Sequence, residues 1–128
     1  MSSHLLLLCK GTDGFVLSDI MRDFKKFISK QIVKTIQEES ESRREWMLDY
    51  FQKSCEHLKK EQKNKVWQDG YHAEIVESNW FIKQKVNYIR TNPVKDKIVT
   101  LPEDYYFSSA RNYAGLEYEL EIVLLDLF

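Results

Sequence analysis

Few side chains in this sequence are placed to do chemistry, and they cluster in two short stretches. In Val86-Asn87-Tyr88-Ile89-Arg90-Thr91-Asn92-Pro93, Tyr88 and Asn92 are four residues apart. On a helix they therefore project from the same side, one turn apart. A phenol and an amide so placed can contact one ligand, although a tyrosine ahead of an Asn-Pro helix stop is also an ordinary ending. The other stretch is Met1-Ser2-Ser3-His4-Leu5-Leu6-Leu7, a single histidine at the head of an apolar run. A solitary histidine more often caps or packs than ligates. Cys9 and Cys55 lack metal-type spacing and point to a reduced, cytoplasmic setting.

The elements that must position these groups follow from periodicity. Residues 3–9 suit a short buried strand, ended by the loop Lys10-Gly11-Thr12-Asp13-Gly14. A helix is expected from Ser18, with Asp19 in its first turn and an apolar stripe of Ile20, Met21, Phe24, Phe27, Ile28, Ile32, Val33 and Ile36. Its other face carries Arg22, Lys25, Lys26, Lys30 and Lys34. Residues 38–42 read as a connection, 44–60 as a second helix and 59–65 as a polar turn. Residues 66–76 are strand-like (Val66, Trp67, Tyr71, Ile75, Val76), interrupted by Gly70. A third helix is expected from near Ser78, with Asn79 as the alternative cap, to about Thr91 before Pro93. Residues 94–99 connect onward, 102–112 carry a helical turn, and 118–125 form a closing strand. This pattern gives an α/β or α+β domain spanning residues 1–128.

Bulk properties narrow the function classes. A hydrophobic fraction of 43% with 13% aromatics supports a core rather than disorder. No apolar run approaches the ~18–20 residues of a membrane span, so no membrane partner is expected. The net charge of −1 is uneven: residues 101–128 hold six acids against Arg111, so residues 1–100 carry +4. A basic body with an acidic tail permits nucleic-acid binding. In that reading Lys25, Lys26 and Lys30 neutralise phosphates, and Trp67 or Tyr71 stacks an unpaired base. The bland alternatives are a solvated helix face for the lysines and core packing for Trp67.

The succession of motifs resembles the REP-associated and insertion-sequence single-tyrosine HUH transposases. Tyr88 to Val94 is similar to that family's Tyr-Ile-x-x-Asn-Pro-Val, and Met1 to Leu7 to its histidine strand. Further similar stretches are Ser18-Asp19-Ile20-Met21-Arg22-Asp23-Phe24-Lys25-Lys26-Phe27, Val66-Trp67-Gln68 and Pro102-Glu103-Asp104-Tyr105-Tyr106-Phe107-Ser108-Ser109-Ala110. The resemblance implies an α+β, ferredoxin-like HUH sheet flanked by helices, here lacking its first strand and helix, with an extension from about residue 101. It implies cleavage and rejoining of single-stranded or hairpin DNA, with Tyr88 as the nucleophile forming a 5′-phosphotyrosine. His4 and Asn92 would ligate Mg²⁺ or Mn²⁺, hard ions that suit oxygen and imidazole donors. The family's second histidine falls at Leu6, which cannot coordinate, so the resemblance implies an impaired catalytic centre. A hairpin-binding module without cleavage is the second expectation. The third is an interaction protein whose tail adds a strand to another chain, and a homodimer is compatible with each.

Overall fold

The apolar stripe that follows the first loop does form a helix, α1 (Leu17–Glu38). In the computed structural model, residues 4–39, 42–58, 62–70 and 72–127 are described. The chain divides into two compact units: Lys10–Ala73, and Met1–Cys9 together with Glu74–Phe128.

In the first of these units, Val16 stands at the N-cap of α1 and offers no side-chain bond, so Ser18 lies inside the first turn rather than capping it. The preceding loop turns at residues 12–15, where Phe15 N–H donates to the Thr12 carbonyl across 3.0 Å. Gly14 has φ +87 there, a conformation that an L side chain rarely adopts. Helix α1 packs on α2 (Arg44–Lys53). Helix α2 is shorter than the expected 44–60: past Lys53 the backbone closes three-residue turns instead, Cys55 N–H donating to the Gln52 carbonyl and Leu58 N–H to the Cys55 carbonyl (3.0 Å). Ile36 and Cys55 are buried in this unit. Beyond α2, Lys65 N–H donates to the Phe51 carbonyl (2.9 Å) and Trp67 Nε1 to the Lys25 carbonyl (3.0 Å).

The other unit is built on α3 (Asn79–Lys95). Ser78 caps it as expected, its hydroxyl accepting from Phe81 N–H at 3.2 Å. Pro93 does not stop the helix. It lies two residues from the end and is fully buried, so the one backbone bond it forgoes is offset by packing. Termination comes at Asp96, with Lys97 N–H donating to Val94 and Ile98 N–H to Pro93 (2.9 Å). That bond pair is a Schellman ending, and it forces Lys97 to φ +58. A single 3-10 turn (Pro102–Asp104) packs on α3 and on α4 (Ala110–Tyr113), whose Ala110 is buried.

The expected α+β, ferredoxin-like sheet is overturned: the described residues form helices and no strand. The segments 4–9, 66–70, 72–76 and 118–125, all read as strand, are irregular. Alternation and β-branched residues give a segment two faces, but a strand exists only where a neighbour completes its ladder. Here two of these segments are held by other contacts. The Lys65 N–H and the Trp67 side chain bond helix carbonyls, and the backbone of 117–125 bonds side chains of α4. Leu5 and Leu7 remain exposed instead of entering a sheet core.

The Schellman ending yields a stability prediction. Lys97→Gly removes the steric penalty of a left-handed lysine and should stabilise the chain by about 1 kcal/mol, raising its urea midpoint. An unchanged or lower midpoint would show that Lys97 does not hold this conformation in solution.

Candidate nucleic-acid interface

Helix α3 carries both Tyr88 and Asn92, but it does not give them the same surroundings. Tyr88 is 46% exposed and Asn92 9%. Four residues at 3.6 per turn leave an offset of about 40° around the axis. At the margin of a buried face, that is enough to put one side chain outside and the next inside. The face of Tyr88 is a shallow cavity of about 420 Å³, lined by Gln84, Lys85, Asn87, Tyr88, Thr91 and Lys95.

The chemistry of this cavity is one aromatic ring among amides, a hydroxyl and two cations. Lys95 Nζ lies 5.5 Å from the centre of the Tyr88 ring, a cation–π distance. Lys85 pairs with Glu74 and lies 5.0 Å from the Phe81 ring, so its charge is partly engaged. The Thr91 hydroxyl donates to the Asn87 carbonyl at 2.8 Å, which fixes its rotamer and leaves its oxygen able to accept. Of the residues lining the cavity, only Tyr88 was singled out from sequence. Gln84, Asn87, Thr91 and Lys95 follow at steps of three and four, so one helix face already held the signal.

Asn92 presents a different feature. Its Oδ1 is buried and takes no hydrogen-bond partner. An orphaned buried acceptor costs ~1–3 kcal/mol. An amide oxygen of this kind could serve a hard cation, yet the remaining donors do not fit a catalytic Mg²⁺ or Mn²⁺. His4 is exposed on irregular backbone, and Leu6 offers no donor atom. Among the described residues no group of three His, Cys, Asp or Glu side chains is placed to hold a metal. Residues 4–9, expected as the histidine strand, form no strand, so no pleat sets positions 4 and 6 on one face.

The other candidate residues belong to the unit Lys10–Ala73. Trp67 is half-buried against α1, its ring 6.2 Å from Phe24 and its Nε1–H given to the Lys25 carbonyl. Lys25 Nζ lies 5.6 Å from the centre of the Trp67 ring. Both side chains therefore serve the packing of α1, the bland alternative for Trp67. Lys26 and Lys30 are exposed on α1. Tyr71, the other stacking candidate, lies outside the described residues, as do the first three residues of the histidine motif.

Comparison with known proteins adds no relative: no family model, curated protein or solved structure matches the chain. No helix among the described residues is long and apolar enough to cross a membrane.

Two substitutions test this geometry. Asn92→Leu replaces an orphaned acceptor by an apolar side chain of similar volume and should raise stability by about 1–2 kcal/mol in urea unfolding. A loss of stability would mean that Oδ1 has a partner in solution. Trp67→Phe removes one hydrogen bond and part of a packed ring, and should lower stability by roughly 1–2 kcal/mol. If Trp67 were a free stacking platform, that change would leave stability unaltered.

Proposed function

We propose that this chain is a transposase-like DNA-binding protein of the cytoplasm, related to single-tyrosine HUH enzymes, that holds an unpaired or hairpin-flanking strand on α3 without cutting it. The observation that carries the reading is the cavity around Tyr88. A half-exposed phenol ring beside Lys95, with Gln84, Asn87 and Thr91 around it, suits a nucleotide stacked on the ring. Its phosphate would then lie within reach of a lysine ammonium. Base stacking tolerates any sequence, and lysine–phosphate attraction makes binding salt-dependent.

Binding is favoured over cleavage on chemical grounds. A phenol is a weak nucleophile until a base or a metal displaces its proton. Attack on phosphorus needs a metal or base to assist it, and Leu6 offers no donor atom where the resemblance puts a second metal histidine. Tyr88 is thus assigned to stacking, Lys95 to phosphate, and Asn92 to the floor beneath them.

The test is fluorescence anisotropy with a single-stranded oligonucleotide and a hairpin carrying a single-stranded flank, at two salt concentrations. Tyr88→Ala should weaken binding about fivefold or more, since a stacked base contributes ~1–3 kcal/mol. Tyr88→Phe should bind as the parent does, because the ring and not the hydroxyl is used. Equal affinity of the Ala variant and the parent would overturn the assignment. A covalent DNA adduct at Tyr88 in magnesium would show that the chain cuts after all.

A further inference from the structure

Helix α3 carries Lys83, Lys85, Arg90 and Lys95, and no acid from Asn79 to Lys95. At 3.6 residues per turn, Lys85, Tyr88 and Lys95 fall within an arc of about 80° around its axis. The rise places Tyr88 about 4.5 Å beyond Lys85 along that axis, and Lys95 about 10.5 Å further. The ring therefore stands between two ammonium groups on one strip, with Gln84, Asn87 and Thr91 along one side of it.

The two cations are held differently. Lys95 Nζ rests 5.5 Å from the centre of the Tyr88 ring. Lys85 Nζ is ion-paired with Glu74, from the irregular segment ahead of Ser78, and lies 5.0 Å from the centre of the Phe81 ring. The Glu74 side chain is 58% exposed and that of Lys85 30%. An ion pair this open to water contributes little to stability, so breaking it costs little. Phosphate and carboxylate oxygens are equivalent acceptors for an ammonium group. Glu74 thus holds, at the edge of the cavity, the place that a phosphate oxygen would take.

We propose that Lys85 is a second phosphate contact, that the strand follows the α3 axis from Lys85 over Tyr88 to Lys95, and that Glu74 engages Lys85 until the strand displaces it. This rests on the reading of the Tyr88 cavity as a single-strand site. Lys85 and Lys95 are about 15 Å apart along the axis, so they take different phosphates on either side of the stacked nucleotide. A strand that crossed the helix at Tyr88 would use one of them at most. Glu74 lowers affinity in two ways, by engaging the lysine and by repelling the incoming phosphate.

The experiment is fluorescence anisotropy with one single-stranded oligonucleotide across a salt series, for the full chain and for Glu74→Gln, Lys85→Ala and the double variant. Glu74→Gln should tighten binding roughly threefold, a gain that no folding defect can produce. That gain should vanish when position 85 is alanine, because the two side chains act through each other. In the Glu74→Gln background, Lys85→Ala should lower the slope of log affinity against log salt by ~0.7, the share of one phosphate on a single strand. Failure of Glu74→Gln to tighten binding overturns the proposal. A gain that persists in full without Lys85, or a slope that Lys85→Ala leaves unchanged, also overturns it. If Tyr88→Ala still weakens binding in those cases, the stacking site stands and only the second contact falls. A parent that binds no single strand removes both.

Discussion

Three consecutive side chains of α4 decide how the unit built on α3 is held. Arg111, Asn112 and Tyr113 each bond the backbone of residues 117–125, work that a sheet would give to a neighbouring strand. Arg111 also donates to the Glu103 carbonyl at 2.9 Å and lies 5.2 Å from the Tyr106 ring, joining the 3-10 turn to the same point. The Tyr106 hydroxyl in turn bonds Glu119, and that carboxylate raises the phenol above its ordinary pKa. Arg90 stacks on Tyr113 at 5.2 Å, which brings α3 into the arrangement. The closing segment is thus positioned by polar contacts from a four-residue helix, and its apolar side chains stay largely in solvent.

That substitution of side chains for a ladder also explains which parts of the fold were legible. Helices close their own hydrogen bonds, so a stripe such as Ile20, Phe24, Ile28 and Ile32 suffices to locate α1, and Ser78 marks the start of α3. Segments 4–9 and 118–125 have strand composition, but a strand's bonds lie outside the segment. No local pattern says whether a partner is present. The ends of helices failed for a related reason. Pro93 reads as a stop until its burial and the Lys97 ending are seen, and α2 gives way after Lys53 to three-residue turns that composition does not announce.

At the site, spacing identified Tyr88 and Asn92 as neighbours on one helix, while their opposite environments required the packing of Val86, Asn92 and Pro93 beneath α3. Lys95 escaped notice because the helix was expected to end before it. Trp67 and Lys25 carry side chains of the right type for nucleic acid, yet each engages the other across α1. Chemical type proposes a role, and only the surroundings of the group decide whether it is available.

The proposed role puts an unpaired strand on α3 against the Tyr88 ring. Photo-cross-linking with an oligonucleotide carrying iododeoxyuridine, followed by peptide mapping, addresses it directly, since this base couples efficiently to an aromatic ring stacked on it. The account predicts the principal adduct on the α3 peptide at Tyr88, lost in Tyr88→Ala. Adducts confined to the peptides of α1 or of residues 62–70, with none on α3, would contradict it.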